Sequence, residues 1–466
     1  MRELLDRVLE RIRPTPAERE RVRRSVATFM DALGRVLERL GVGAEAELEG
    51  SYAKDTWLSG DVDVDVFLLF DRDTPVEELG PSALTVGREV ASELGAVARE
   101  RYASHPYLEV VYDGIRFDLV PAYRVGGPGE IVTPVDRTPF HTRYVRSRLN
   151  ERLRDEVRLL KRFMKGVGVY GAEIRVLGFS GYLAELLVIY YGGFLETVRA
   201  ASGWRPYRTF IDPEGYYRDP GSRLAASKVF NSPLIVIDPV DKTRNVASAV
   251  SLQRMSEFVA ACRLFLEKPS EKFFFPPPQP EIGEGEIRRL IAERGTYLLA
   301  LKTIVEEGPE DVLWGQIRRG ERKITDFLEK QGFTVLDTFS WSSGREVVMV
   351  VELERGELPS LHLHQGPPVH SDEWRRFVDK YSGREGVFGP YVRGDRWVVL
   401  RPPRFRDALE AILRSYRGIG LSRDMVRYFS RHLETFTGPD VARASASPDY
   451  RRELYLWLLR RPPWLS

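Results

Sequence analysis

The segment from Gly50 to Phe70 constrains the fold of this chain most strongly. It reads GSYAKDTWLSGDVDVDVFLLF, so that Asp63 and Asp65 come directly before an uninterrupted hydrophobic run. Side chains alternate between the two faces of a strand, and residues two apart therefore point the same way. The pattern predicts a strand that carries Asp63 and Asp65 side by side on one face and buries Val64 and Val66 on the other.

Two neighbouring carboxylates on one face indicate a cation site. They repel each other, whereas Mg²⁺ takes oxygen ligands at about 2.1 Å and is commonly held by one or two carboxylates together with substrate phosphates. The Gly50-Ser51 turn offers close backbone approach, free N–H groups and a hydroxyl to such phosphates. Asp61 has the same parity as the pair. We interpret it as the end of a turn after Gly60, with a metal contact as the less favoured alternative.

A third carboxylate is expected on a second strand beside the first. Residues 115–121 read IRFDLVP, in which apolar side chains alternate with Arg116, Asp118 and Val120. The preceding Asp113-Gly114 is a strong turn signal, so residues 107–112 and 115–120 predict a hairpin. Asp118 is the only acid within this strand, and we expect it close to the first two.

The bulk composition bounds the class of protein. A chain of 466 residues with 43% hydrophobic and 30% charged residues predicts several globular domains, and its net charge of +2 says little about partners. The single cysteine, Cys262, excludes an intrachain disulfide and fits a cytoplasmic protein, as does the lack of a signal-peptide pattern. The apolar run 182–194 is shorter than the roughly 20 residues of a membrane span, so we predict a buried helix. Few Asn and Gln beside many Arg and Glu are typical of thermophilic proteins.

These features, with several longer strings, resemble the polymerase-β-type nucleotidyltransferase superfamily and, within it, the archaeal class I CCA-adding tRNA nucleotidyltransferases. The strings that carry the resemblance, besides residues 50–70, are RFDLVPAY, DRTPFHTRYV, NERLRDEVRLLKRFMKGVGVYGAE, GFSGYLAELL and DPVDKTRNVA. The resemblance is dense as far as the helix that ends near Leu266, and beyond it rests on length and general character.

The resemblance implies a multidomain protein of α/β and α+β class. Its parts would be a polymerase-β-like nucleotidyltransferase head with a mixed sheet (residues 1–143), a helical neck with a nucleobase pocket (144–267), an α+β body that binds RNA (268–340 and 396–466) and an RNA-binding tail (341–395). The proline-rich segment 276–280 is the clearest domain boundary.

The resemblance also implies the site residues. Asp63, Asp65 and Asp118 would be catalytic in a two-metal-ion transfer: Asp63 and Asp65 would hold two Mg²⁺ ions, and Asp118 would bind the one beside the attacking 3′-hydroxyl. The residues expected to bind ATP or CTP are Ser51, Lys54, Thr138, His141, Lys161, Tyr170 and Arg244. The planar guanidinium of Arg244 would read the nucleobase, held in place by Asp238 and Asp241. Without the resemblance, Lys54 reads as a solvated loop lysine, His141 as structural, and residues 239–246 as a strand-to-helix turn capped by Asn245.

The implied reaction is template-independent addition of CCA to the 3′ end of tRNA from CTP and ATP. From Arg396 onward there are fourteen Arg, no Lys and seven acids, a composition suited to RNA phosphates of the acceptor stem and T arm. A homodimer is expected by analogy. The alternatives are a poly(A)-type or oligoadenylate polymerase, and a catalytically inactive RNA-binding protein. His362, His364 and His370 favour a polar strand and loop over a zinc site, because no fourth ligand is evident.

Overall fold

The computed structural model of the chain describes residues 1–102, 106–278 and 281–465. It divides the chain into one unit of Met1–Pro277 with Pro462–Ser466 and a second unit of Pro278–Arg461. The point of division falls in the proline-rich segment 276–280, of which Gln279 and Pro280 lie outside the described residues.

The first unit combines long helices with short strands. Its helices are α1 Arg2–Ile12, α2 Pro16–Leu40, α3 Gly50–Ala53, α4 Val76–Leu94, α5 Thr138–Arg148, α6 Glu151–Val167, α7 Gly181–Tyr191, α8 Phe194–Ala201, α9 Pro220–Phe230 and α10 Leu252–Glu267. Its strands are β1 Ala44–Glu49, β2 Asp63–Phe70, β3 Val97–Tyr102, β4 Pro106–Tyr112, β5 Ile115–Tyr123, β6 Thr209–Ile211, β7 Leu234–Asp238 and β8 Asp241–Asn245.

The predicted mixed sheet is confirmed, with strand order β1-β2-β5-β4-β3. Strands β2 and β5 are parallel, and the other neighbours are antiparallel. Val64 and Val66 are fully buried and pack with residues of α2 and α4, as the alternation predicts. Phe29 of α2 stacks on Phe117 of β5 with ring centroids 4.0 Å apart. On the opposite face Phe67 and Leu69 are buried in a small separate cluster, so Asp63 and Asp65 at the start of β2 are left for the site.

Two local predictions differ from the structure. The sequence favours a helix over residues 83–103, but α4 ends at Leu94 because Gly95 takes a left-handed φ of 60°, and β3 follows. Residues 239–246 form a tight β7–β8 hairpin rather than a strand-to-helix turn. Both errors come from pairings between strands that helical or turn patterns do not encode.

Helices α6, α7, α8 and α10 bury a second core that contains most of the unit's phenylalanines. Phe163 lies at its centre, with ring contacts to Phe194, Phe258, Phe265, Phe273 and Phe274. The apolar run around α7 is part of this core. Across the described ranges, none of the helices combines the length and apolar character needed to cross a membrane.

The second unit is α+β. Its helices are α11 Glu284–Arg294, α12 Glu310–Gln331, α13 Trp374–Tyr381, α14 Ala408–Ser415, α15 Arg423–His432 and α16 Pro448–Leu459. Its strands are β9 Tyr297–Ile304, β10 Val335–Ser342, β11 Glu346–Leu353, β12 His362–Pro368, β13 Phe388–Arg393, β14 Arg396–Arg401 and β15 Glu434–Thr437. They form the sheets β10-β11-β9-β15 and β12-β14-β13.

The sheets of the second unit cut across the boundaries drawn from sequence at residues 341 and 395. Strand β11 lies inside the expected tail but pairs with β9 of the expected body. Strand β14 lies in the expected body but pairs with β12 and β13. The last residues, expected in the body, belong to the first unit, where Trp464 stacks on Phe273 at 5.3 Å. Long-range strand pairing leaves no local signal at such boundaries.

Candidate active site

The three acids expected at the site meet on the neighbouring parallel strands β2 and β5. In the register of these strands Asp65 lies opposite Asp118, and Asp63 lies opposite Arg116. Residues in register on adjacent strands share a face, so Asp118 lies beside Asp65 on the face turned away from the α2–α4 core. Arg116 forms an ion pair with Asp63 and lies 3.6 Å (Nε to Oδ2) from Asp118.

Burial makes these carboxylates hard to ionise. It raises the pKa of Asp118 to about 7, with Arg116 opposing the rise and the negative charges of Asp65 and Asp63 adding to it. Burial likewise raises the pKa values of Asp65 and Asp63. Atom Oδ1 of Asp118 is buried and has no hydrogen-bond partner among the described residues. A cation at this place would stabilise all three charged forms.

The donor chemistry of the three acids therefore fits a hard divalent cation, since each supplies carboxylate oxygens. Within the part of the chain that is described, no three His, Cys, Asp or Glu residues stand close enough together to hold a metal ion. Arg116, paired with Asp63 and close to Asp118, supplies the local positive charge instead. A metal bound here would have to displace the Arg116 guanidinium from these carboxylates.

Gly50 packs directly against the carboxylate of Asp65. Its φ is +65°, and a Cβ atom added to it would stand 1.7 Å from Oδ2 of Asp65. Only glycine fits such a position, because both the left-handed backbone and the close approach exclude a side chain. Ser51 follows in the short helix α3, so the Gly-Ser pair predicted to bind phosphate is next to the acids.

Glu49 extends the acids into a row across the sheet, and sequence reasoning missed it. It lies opposite Asp65 on β1, and Glu109 of β4 lies opposite Asp118. Burial raises the pKa of Glu49 to about 7, with the Thr142 hydroxyl, Lys54 and Arg143 opposing the rise, and Glu49 forms no ion pair among the described residues. Glu109 differs, because it forms an ion pair with Arg101 at 3.2 Å. The one signal available in the sequence was the position of Glu49, an odd-numbered strand residue directly before Gly50.

Lys54 and Lys161 are both buried and share one carboxylate, that of Glu185 on α7. Nζ of Lys54 lies 2.6 Å from Oε2, and Nζ of Lys161 lies 2.9 Å from Oε1. Thr56 also donates to Oε1. Burial would raise the pKa of Glu185, but the two lysines more than offset it and hold the pKa at about 2. Lys54 is thus not a solvated loop lysine, and Glu185 is a further residue of the site.

Tyr170 and Lys161 converge on Gly181, the first residue of α7. A Cβ on Gly181 would stand 2.9 Å from the Tyr170 hydroxyl and 3.6 Å from Nζ of Lys161. Asp61 lies in a turn closed by a bridge to Leu58 and forms an ion pair with Lys165. Tyr170 and Lys161, both expected to bind phosphate, therefore lie together. Asp61 is paired with Lys165 instead.

Asp238 is a buried hub for three side chains. Nη1 of Arg244 donates to its Oδ2 at 2.7 Å, and Nε2 of His141 lies 2.9 Å from the same oxygen. The Tyr182 hydroxyl donates to Oδ1 at 3.1 Å, and the Tyr182 ring stacks on His141 at 4.1 Å. Burial lowers the pKa of His141 despite Asp238, which favours the neutral imidazole at pH 7. Thr138 begins α5, one turn before His141.

The prediction that Asp241 also holds Arg244 is wrong. Asp241 pairs with Arg137 at 3.1 Å and accepts from the Thr243 hydroxyl at 2.6 Å. The tight β7–β8 hairpin places Asp238 opposite Asp241, so that the two carboxylates take different partners. Among the residues that the structure describes, Asp238 is the carboxylate that pairs with the guanidinium of Arg244.

Known protein families match this chain in three consecutive regions. A family described as "Nucleotidyltransferase domain" matches residues 30–141, one described as "tRNA nucleotidyltransferase, second domain" matches residues 155–275, and one described as "CCA-adding enzyme, C-terminal domain" matches residues 294–437. A solved RNA terminal U-transferase has a distant likeness, with 18% identity, a TM-score of 0.44, and coverage of 59% of this chain and 98% of its own. The matched families, with the mixed sheet and its acids, define a nucleotidyltransferase.

Curated relatives match most of the chain. The CCA-adding enzyme of Methanothermobacter thermautotrophicus is 42% identical over 404 residues, which cover 86% of both chains. That of Methanosarcina barkeri is 37% identical over 465 residues and 98% of both chains, and that of Pyrobaculum neutrophilum is 40% identical over 413 residues, 88% of this chain and 92% of the relative. The chain belongs to the archaeal CCA-adding enzymes, a family of tRNA nucleotidyltransferases.

Proposed function

We propose that this enzyme adds CCA to the 3′ end of tRNA, using CTP and ATP, at the site built around β2 and β5. The observation that carries the proposal is the register of these strands, which sets Asp118 beside Asp65 with Gly50-Ser51 against the same carboxylate. A row of buried acids next to a phosphate-binding turn is suited to nucleotidyl transfer, in which a triphosphate and a hydroxyl must meet under positive charge.

Nucleotidyltransferases of this superfamily generally use divalent metal ions, and we propose Mg²⁺ here. Asp63, Asp65 and Asp118 would hold it, with Asp118 on the side of the attacking 3′-hydroxyl. Bound Mg²⁺ would neutralise the phosphates and lower the pKa of that hydroxyl. Arg116 would hold the acids together until the metal and triphosphate bind, because its guanidinium pairs with Asp63 and lies close to Asp118.

The triphosphate would be held by Ser51, Lys54, Thr138, Lys161 and Tyr170. The two buried lysines share the carboxylate of Glu185 as their ion-pair partner, so their cluster carries an excess positive charge. Water cannot compensate a buried charge well, and an anionic phosphate placed there would do so. The close approach of Tyr170 and Lys161 at Gly181 supports a common ligand for both.

Arg244 would read the nucleobase. Its guanidinium is fixed by Asp238, a residue that also engages His141 and Tyr182. A fork of fixed donors can satisfy the acceptors of cytosine and adapt to adenine with the help of the RNA end. We propose that His141 serves nucleotide binding through this hub as well as by the triphosphate contact that the family implies.

Beyond the active site, we propose roles for whole domains of the chain. Residues 1–143 and 144–267 would act as head and neck, with the tail redrawn to follow the β12-β14-β13 sheet and the remainder of the second unit as body. Body and tail would hold the acceptor stem and T arm by shape and phosphate contacts, which suits an enzyme that accepts every tRNA. Cytoplasmic location and a homodimer are further proposals.

Incubation with a tRNA that lacks its terminal CCA tests the function. We expect labelled CTP to add two residues and labelled ATP to add one residue after them, with no further growth. Extension by ATP alone into a longer tail would favour a poly(A)-type or oligoadenylate polymerase. Binding of tRNA without incorporation of either nucleotide would favour an inactive RNA-binding protein.

A further inference from the structure

A cavity of about 460 Å³ in the second unit has a strongly cationic lining. It is formed by α12, by the C-terminal end of α14 and by the chain before and after α14. Its volume lies in the range of ligand-binding sites in proteins. The charged residues of the lining are Lys323, Asp326, Lys330, Arg404, Arg414 and Arg417.

Most of these cations have no carboxylate partner in the described part of the chain. Arg414 pairs with Glu410 at 2.9 Å. Among the residues that the structure describes, no carboxylate oxygen lies within the 4.0 Å limit of an ion pair from the four remaining cations. Asp326 also forms no ion pair there. The exposed arginines elsewhere in this unit that do pair include Arg345, Arg406 and Arg427. The cavity therefore concentrates positive charge that the described chain leaves uncompensated.

Several of these four cations are positioned by their own surroundings. Lys323 and Lys330 are seven residues apart, so they lie on one face of α12. Gly420 lies beside the stem of Lys323, since a Cβ at Gly420 would stand 3.5 Å from it, an ordinary van der Waals distance. Nε of Arg417 donates to the Tyr416 hydroxyl at 3.3 Å. Cations held near one another without counter-charges repel, and an external anion relieves that cost.

We propose that this cationic cavity binds backbone phosphates of the tRNA, and the inference rests on the proposed function. Phosphodiesters carry one negative charge per nucleotide, and lysine and arginine side chains bind them without reading sequence. The lining sets five cations against one carboxylate, Asp326, which favours the phosphate groups of a ligand. The cavity thus gives the second unit a sequence-independent grip on RNA.

Salt dependence of tRNA binding by the full chain tests the inference. The variant Lys323→Gln/Lys330→Gln removes two cations of the cavity. The matched control Arg289→Gln/Arg322→Gln removes two exposed cations outside the lining, one on α11 and one on α12 itself. For the cavity variant we expect the slope of log affinity against log salt to shrink by about one for each phosphate that the cavity no longer neutralises, and the control to keep the wild-type slope.

A second variant, Arg404→Gln/Arg417→Gln, removes two cations that line the same cavity on the side of α14. It should shrink the slope likewise, while CMP incorporation at saturating tRNA stays at the wild-type rate and shows that the fold is intact. Wild-type slopes for both cavity variants, in an enzyme that completes CCA ends, would overturn the cavity inference alone. A wild-type protein that incorporates neither nucleotide would instead contradict the proposed function.

Discussion

Glu49 is a buried carboxyl and Asp118 a half-buried one, and desolvation raises both pKa values to about 7, so each resists carrying a charge at the sheet. The raised pKa of Asp118 fits its proposed role as a metal ligand, because a bound cation would favour its charged form. Glu49 lies opposite Asp65 in the same row and forms no ion pair within the described structure. The stability lost by burying the Glu49 carboxylate can therefore be measured separately.

Glu49→Gln is expected to stabilise the protein at pH 8 and to change little at pH 4. Burial raises the folded pKa of Glu49 above its unfolded value, so the folded protein holds a proton that the unfolded chain has released between pH 4 and 7. Stability then falls as pH rises through this window. Glutamine removes that loss, worth up to about 3 kcal/mol at pH 8.

Thermal unfolding at the two pH values measures the effect of Glu49→Gln. Glu45→Gln, four residues earlier on the same strand and exposed, is the control and should shift the melting temperature equally little at both pH values, because its ion pair with the exposed Arg124 is weak. A shift for Glu49→Gln that is the same at pH 4 and pH 8 would show that folding does not raise the pKa of Glu49.

The turn from β1 into α3 positions the acids of β2, and Gly50 is its critical residue. Gly50→Ala would place a Cβ 1.7 Å from Oδ2 of Asp65, so the carboxylate must move. We expect CMP incorporation to fall by at least about a hundredfold, the loss that a misplacement of about 1 Å can cause. Incorporation under saturating CTP and tRNA measures it.

Gly95→Ala separates the collision from backbone strain. Gly95 has a φ of +60°, similar to that of Gly50, but no described atom within 4 Å of the Cβ position. This control should lose about 1 kcal/mol of stability and keep its activity. If Gly50→Ala behaves like Gly95→Ala, the packing of Asp65 on Gly50 has no part in the reaction.

Helix α7 anchors two elements of the site through Glu185. Replacement by Gln leaves Lys54 and Lys161 buried without a counter-charge, and we expect a loss of about 3–5 kcal/mol of stability. Because the pKa of Glu185 in the folded protein is about 2, its charge contributes fully to stability above the unfolded pKa near 4. This contribution is lost as the pH falls towards 2. The KM for CTP should also rise, since both lysines lose their anchor.

Thermal unfolding and the split between KM and kcat measure the effect of Glu185→Gln. Glu196→Gln on α8 is a suitable control, because Glu196 is about half exposed and its ion-pair partner is the exposed Arg199. Such a surface pair is worth well under about 1 kcal/mol. An unchanged KM for CTP in a folded Glu185→Gln protein would show that the lysines do not bind the nucleotide.

At the scale of the whole molecule, local patterns predicted more than long-range contacts. Alternation predicted the burial of Val64 and Val66 and the face shared by the acids, because that information lies within a few residues. It did not predict that Phe67, Leu69 and Ala122 are buried on the opposite face. Glu185 and its lysines are separated by 131 and 24 residues, so no spacing indicates them. The same holds for Arg116, which a strand pattern treats as merely exposed.

The strand pairing of the second unit could not be predicted from the sequence for the same reason. β9 pairs with β11 on one side and with β15, more than a hundred residues later, on the other. Boundaries at residues 341 and 395 were drawn along the chain, whereas the sheets join segments across it. The α+β class itself was predictable, since helical and alternating patterns occur in turn throughout the unit.

The most direct test of the account is Asp118→Ala, assayed on a tRNA lacking CCA. With Asp118 beside Asp65 as the proposed ligand on the side of the 3′-hydroxyl, we expect incorporation of CMP and AMP to fall by about 10³-fold or more, the scale of losing one preorganised electrostatic group. tRNA affinity should stay close to wild type, because the cavity and the rest of the second unit are untouched. An Asp118→Ala enzyme that completes CCA ends at the wild-type rate would contradict the central claim.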